Sequence, residues 1–251
     1  MDRWQNKVAV VTGASSGIGA ACVRYLLNNG MIVVGLARRL ERMDSMCSEL
    51  SEEQQKRFHT RRCDVSKEAD ILEAFAWIES KLGGVDVLIN NAGIARLTGE
   101  LLKPNNSDDI KAIMDINVMA VVYCTREAFQ SMKKRGVDGH VIIINSIVGH
   151  KVPISFVKGM SMNMYPSSKH AITAMTEVLR QEFLMNNTRI KITSISPGGT
   201  DTELIPSNGE FALTFPMLRS EDIADAVIYC IQTPPSVQIH EMIIKPIGEM
   251  F

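Results

Sequence analysis

Tyr165-Pro166-Ser167-Ser168-Lys169 places a phenol and an ammonium four residues apart. On a helix that spacing puts both on one face, about 6 Å apart along the axis, so that both can meet one reacting atom. An ammonium beside a phenol favours the phenolate and is expected to draw the tyrosine pKa down from about 10, making the phenol a general acid/base. On an exposed helix the same two residues are only a surface pair. The segments around them decide which reading holds.

A second segment with chemical meaning is Thr12-Gly13-Ala14-Ser15-Ser16-Gly17-Ile18-Gly19, which follows a β-branched run and opens a helical stretch. A glycine-rich turn in that place lets backbone N–H groups approach a pyrophosphate at a helix N-terminus. Its spacing is G-x-x-x-G-x-G, not the G-x-G-x-x-G of many dinucleotide-binding turns. The bland alternative is a tight strand-to-helix connection. Nineteen positions beyond Gly19, where an NAD-binding chain usually carries an acid for the ribose hydroxyls, stand Ala37-Arg38-Arg39. A guanidinium offers a planar fork of donors to a 2′-phosphate, so Arg38, with Arg39 in support, points to NADP(H) over NAD(H). Otherwise these are two solvated arginines at a helix start, a place that suits cations poorly.

The elements that must position these groups alternate. Strands are expected at Lys7–Thr12, Ile32–Leu36, Arg57–Arg62, Val85–Asn90, His140–Asn145, Ile190–Ser196 and Glu241–Lys245. Helices are expected at Gly17–Asn29, Leu40–Leu50, Glu68–Lys81, Ser107–Arg135 with a break, Tyr165–Asn186 and Ser220–Gln232. Such alternation implies an α/β fold: a single-domain, doubly wound (Rossmann-type), seven-stranded parallel sheet with helices on both faces, spanning residues 1–251. The runs at Val85–Asn90 and His140–Asn145 are apolar at both parities and belong at the centre. Lys133-Lys134-Arg135 reads as the solvated end of a helix. There is no internal repeat and no linker.

Composition narrows the function. With 27 basic against 28 acidic residues the chain offers no field for nucleic acid or an anionic membrane. No apolar run approaches the roughly 18 residues of a membrane helix, and no apolar stretch precedes the first strand, so a cytoplasmic location is expected. The five cysteines are unpaired in pattern and expected to be reduced. The five histidines show no metal-ligand spacing, and no metal is expected.

Taken in order, Thr12–Gly19, Asn90-Asn91-Ala92-Gly93, Asn117, Ser146 and Tyr165/Lys169 resemble the short-chain dehydrogenase/reductase family over nearly the whole chain. A narrower likeness, to the NADP-dependent group of member 11 and the insect farnesol dehydrogenases, is carried by Asp2-Arg3-Trp4, Cys124–Lys133 and Val237-Gln238-Ile239. The resemblance implies that Tyr165 gives or takes the proton, Lys169 holds the nicotinamide ribose and tunes Tyr165, Ser146 hydrogen-bonds the substrate oxygen, and Asn117 places a water near Lys169. On the cofactor side it implies a pyrophosphate turn of Gly13, Ser15, Ser16, Gly17, Ile18 and Gly19, adenine contacts from Asp64 and Val65, and a ribose contact from Asn91. Pro197-Gly198-Gly199-Thr200-Asp201-Thr202 resembles the segment that meets the nicotinamide carboxamide, with Thr202 as side-chain donor. The alternative reading has Asn90, Ala92 and Gly93 serve the sheet, Asn117 a helix cap and Ser146 a strand end. One serine precedes Ile147 where many relatives have two, and the stretch from Ser146 to Tyr165 is longer than usual.

The implied activity is NADP-dependent interconversion of an alcohol and its carbonyl compound. A non-catalytic NADP-binding scaffold or sensor is the competing reading, and an intact proton relay speaks against it. Two long segments, Gly149–Met164 and Glu203–Leu218, carry Phe156, Met160, Met162, Met164, Phe211, Phe215 and Met217, which suit a hydrophobic substrate, prenol-like such as farnesol or steroid-like. The same residues could instead fill the underside of their own loops or a subunit contact. The family likeness implies a homodimer or homotetramer built on the helices around Asn117–Arg135 and Tyr165–Asn186.

Overall fold

The β-branched runs form strands, and the five inner ones are buried on both sides. In the computed structural model, which describes residues 1–96, 100–152, 161–205 and 216–249, seven parallel strands lie in the order β3-β2-β1-β4-β5-β6-β7. They are β1 (Val8–Thr12), β2 (Ile32–Ala37), β3 (Phe58–Arg62), β4 (Val87–Asn90), β5 (His140–Ile144), β6 (Lys191–Pro197) and β7 (Glu241–Ile244). As expected, β4 and β5 are central, in register from Val87 opposite His140 to Asn90 opposite Ile143. Between strands run α1 (Gly17–Asn28), α2 (Leu40–Ser48), α3 (Glu52–Arg57), α4 (Glu68–Leu82), α5 (Ser107–Met114), α6 (Ala120–Arg135), α7 (Tyr165–Met185) and α8 (Ser220–Gln232).

Alternating side chains divide the core in two. Ala9, Val11, Val87, Ile89, Ile142 and Ile144 face one side, where Leu26 of α1 and Ile223 and Val227 of α8 cover them. Val10, Leu88, Val141 and Ile143 face the other, under Phe75 of α4, Met132 of α6 and Ile172 of α7. Both long helices α4 and α6 stop at glycines in the left-handed region, Gly83 and Gly136.

The break expected between Ser107 and Arg135 is a π-helical turn, Asp115–Met119, so the chain continues with an extra residue per turn. Two details depart from the expectations. Residues 52–57 form α3, missed between two longer elements although Ser51 and Gln54 make a reciprocal capping box there. Arg135 is not merely solvated: its guanidinium pairs with the buried carboxylate of Asp86 at 3.0 Å, and Asp86 also accepts the Val8 N–H at 2.8 Å. That arrangement ties the end of α6 to the amino-terminal edge of β1.

The strand order places the chain reversal between β1 and β4. A doubly wound sheet opens a crevice outside the carboxyl ends of the strands at such a point, because successive connections leave to opposite faces.

Candidate active site

That crevice is a cavity of about 500 Å³, bordered by the ends of β1, β2, β4, β5 and β6. At its phosphate-like end the β1–α1 turn is close-packed. Gly13 has φ of +67°, and a Cβ there would lie 2.9 Å from the Ala92 Cα; a Cβ on Gly19 would lie 2.3 Å from the Gly13 carbonyl oxygen. Only glycine lets α1 start so near the strand. Ser16 stands at the N-cap without capping the helix through its side chain, so the first-turn N–H groups have no side-chain acceptor there. Gly13, Ser15, Ser16, Gly17 and Ile18 all line the cavity, while Gly19 lies behind as a packing residue.

Arg38 and Arg39 both border the cavity. Arg38 is exposed. Arg39 is anchored: one guanidinium nitrogen donates to Ser16 Oγ at 3.0 Å and Ser15 Oγ at 3.3 Å, while the other pairs with Glu203 at 2.8 Å. Arg42, one turn into α2, grips the other oxygen of the same carboxylate. Two guanidinia hold the Glu203 carboxyl below the usual carboxylate range. An anion of the protein's own therefore already sits in the basic corner, so the donors there suit a negatively charged group.

Asp64 and Val65 border the next stretch of the cleft. The Asp64 carboxylate accepts from the Ser66 hydroxyl and N–H at 2.8 and 3.1 Å. Asn91 lines the cleft, yet its amide donates to the Thr12 and Gly13 carbonyls at 2.9 and 3.3 Å, holding β4 to the glycine turn. Asn90 serves the sheet, donating to Thr125 Oγ at 2.9 Å.

At the other end Tyr165 opens α7 and is buried. Lys169 follows one turn later, with Nζ 5.8 Å from the Tyr165 ring centroid and donating to the Ile144 carbonyl at 2.9 Å. The Ser146 hydroxyl hydrogen-bonds the Tyr165 phenol and also accepts the Val148 N–H at 3.3 Å, so β5 delivers it opposite α7. Asn117, in the π-turn, is clamped: its Oδ1 accepts the Ile94 N–H at 2.9 Å, and its amide donates to the Ile94 carbonyl at 2.9 Å and Ser168 Oγ at 3.1 Å. Ser168 lies beside Lys169 in α7, so the π-turn, the segment after β4 and the start of α7 are braced together.

The pKa expectation for Tyr165 is corrected. Burial pushes the phenol up to about 12, and the Ser146 hydrogen bond only moderates the rise. Burial likewise pulls Lys169 down to about 8. Desolvation dominates both shifts, because both groups lose water when α7 packs on the sheet.

Pro197, Gly198, Gly199, Thr200 and Thr202 line the cavity between the two ends. Thr202 Oγ donates to the Thr200 carbonyl at 3.4 Å. Apolar walls come from Ile94, Val148, Met162, Leu204 and Ile205. Of the seven loop residues expected to form a hydrophobic pocket, Met162 lines the cavity; Met164 caps α7 and, like Met217, is not among its lining residues. Phe156, Met160, Phe211 and Phe215 lie outside the described residues.

A family profile described as short chain dehydrogenase matches residues 7–211. The chain belongs to the short-chain dehydrogenase/reductase family. It is 54% identical to the farnesol dehydrogenase of Aedes aegypti over 254 residues, covering 100% of both proteins. It is 43% identical to dehydrogenase/reductase SDR family member 11 of Mus musculus, covering 98% of this chain and 96% of that protein. Among solved structures it resembles an alcohol dehydrogenase of Thermococcus sibiricus complexed with 5-hydroxy-NADP, with a TM-score of 0.82 and 26% identity over 97% and 98% of the two chains. A serine dehydrogenase complexed with NADP+ in its closed form superposes with a TM-score of 0.84, at 26% identity over 97% and 96%.

Within this short-chain dehydrogenase/reductase, three lining or bracing residues escaped the sequence reading. Arg42 could have been found, since it lies three positions after Arg39 and so on the same helical face. Glu203 follows Thr202 directly but has no local signal. Glu249 comes from the far end of the chain; its side chain is 2% exposed and accepts the Gly199 N–H at 3.2 Å.

Proposed function

We propose that this oxidoreductase uses NADP(H) to interconvert a hydrophobic alcohol, prenol-like such as farnesol or steroid-like, with its carbonyl compound. The observation that carries the reading is one continuous cleft that joins an uncapped helix N-terminus and two arginines to the Ser146, Tyr165 and Lys169 group. The names of the relatives support the substrate class, and the NADP complexes of structural neighbours support the cofactor.

The residues present fit such a cofactor. The α1 N-terminus with Ser15 and Ser16 would hold a pyrophosphate, Arg38 and Arg39 a 2′-phosphate, and Lys169 the nicotinamide ribose. The dinucleotide supplies the hydride chemistry when bound. Tyr165 takes the hydroxyl proton in the oxidising direction and protonates the oxygen in the reducing direction. Ser146 donates to that oxygen as its charge grows. Asn117, through Ser168 and the Ile94 backbone, keeps the start of α7 aligned so that Tyr165 and Lys169 share one reacting atom. Ile94, Val148, Met162, Leu204 and Ile205 exclude water and favour an apolar chain.

Among the described residues no helix is long and apolar enough to cross a membrane. A cytoplasmic homodimer or homotetramer suits the exposed Val178, Leu184 and Met185 along α7.

The test is steady-state turnover of farnesol and farnesal with NADP(H) and NAD(H) in parallel. Wild type should favour NADP(H), and Arg38→Asp should reverse the order. Equal efficiency with both cofactors would undo the role given to Arg38. Cofactor binding without turnover of any alcohol or ketone would instead favour a scaffold.

A further inference from the structure

The basic corner holds more positive charge than the sequence reading assigned to it, and it also holds a carboxylate. Arg38 and Arg39 line it, and Arg42 shares the Glu203 carboxylate with Arg39. Arg39 spends one edge of its fork on Ser15 and Ser16 and the other on Glu203. Ser16 Oγ also donates to Glu203 at 3.3 Å. Arg38, by contrast, makes no ion pair or side-chain hydrogen bond among the described residues. Glu203 belongs to the segment after β6, across the cleft from α2, and its side chain is about half exposed at 51%. It can therefore leave the arginines without opening the core.

A second anion arriving at this corner finds Arg38 available, both terminal nitrogens of Arg39 engaged and one nitrogen of Arg42 held by Glu203. We propose that Glu203 is a specificity-determining residue, whose carboxylate competes with the 2′-phosphate of the cofactor for Arg39 and Arg42 and so limits how strongly NADP(H) is preferred over NAD(H). This rests on reading the cleft as a nicotinamide dinucleotide site. The physical basis is charge. Removing one negative charge beside two guanidinia strengthens the site for the more highly charged cofactor more than for the other, and frees donors whose planar geometry matches a phosphate.

The experiment is Glu203→Gln in the full chain, with NADP+ and NAD+ dissociation constants measured by calorimetry at two salt concentrations. Partly exposed pairs contribute modestly, so the NADP+ constant should fall by about three- to tenfold and the NAD+ constant by clearly less. The NADP+/NAD+ preference should rise, most at low salt. Glu203→Asp, which keeps the charge on a shorter stem, should fall between the two. An unchanged preference in a wild type that does select NADP+ overturns the proposal alone. Equal weakening of both cofactors also overturns it and makes Glu203 a clasp across the pyrophosphate turn. A wild type that binds neither dinucleotide removes the cofactor reading together with this one.

Discussion

Two buried lysines sit at opposite edges of the same sheet, and burial pulls both down to about 8. Lys191, at the amino-terminal start of β6, donates to Thr233 Oγ at 2.8 Å and to the carbonyls of Val237 at 2.9 Å and of Thr233 and Pro234 at 3.3 Å each. It gathers the carbonyls of the turn that follows α8, two of which also accept from within that turn. Lys169, at the carboxyl-terminal edge, has one backbone acceptor, the Ile144 carbonyl, and borders the cavity beside Tyr165. A shifted lysine pKa therefore does not mark a catalytic group. What distinguishes the two is unspent donor capacity facing open space.

The largest expected effect breaks the symmetry outright. Tyr165→Phe removes one oxygen from the cavity edge, and turnover should fall by about 10²- to 10⁴-fold while NADPH binding, followed by fluorescence, survives. Lys169→Ala should harm both binding and turnover. Near-normal turnover in the phenylalanine variant would end the acid/base assignment.

Lys191→Met should do the reverse. Its partly buried carbonyl acceptors lose a charged donor, which costs about 1–2 kcal/mol and lowers Tm by roughly 2–6 °C in a chain of this size. Turnover per folded molecule should stay near wild type. A thermal melt and an active-site titration together decide it, and a stable but inactive variant would make the two lysines alike after all.

A pH series sharpens the contrast next. Lys169 has a depressed pKa in the folded state, so its charge is present below about 8 and lost as pH rises through that value. Tyr165 keeps its proton to about 12. Carbonyl reduction should therefore decline above about pH 8 through Lys169, by up to about tenfold per pH unit, and Lys169→Arg should push that limb upward. A limb unmoved by the arginine would assign it elsewhere.

The smallest effect concerns only the cavity edge. Along straight-chain alcohols, kcat/KM should climb about fourfold per methylene, as expected for roughly 0.8 kcal/mol of burial, until the pocket is full. A flat series, or a preference for a charged polyol, would remove the hydrophobic-substrate reading and leave the family untouched.

Much of this was legible in the chain itself because it depends on neighbours in sequence. Short β-branched runs such as Val141-Ile142-Ile143-Ile144 suit strands buried on both faces, and the Tyr165–Lys169 spacing stacks two groups on any helix. The glycine turn and the two arginines are likewise local to one strand–helix junction. Fold class, strand order at the centre and the cleft's main residues follow from such patterns. α3 was missed because six residues give too little periodicity, although its capping box was written in Ser51 and Gln54.

Tertiary structure alone decided what depends on distant segments meeting. No spacing separates Lys169 from Lys191; burial under α7 or against the end of α8 does. Arg135 looks like any solvated helix end until Asp86 arrives from β4's approach. The Tyr165 phenol rises instead of falling because packing removes water from both members of the pair, a cost that a one-dimensional pattern does not contain. Glu203 and Arg42 stand 161 positions apart and meet only because the sheet brings the loops after β2 and β6 to one edge.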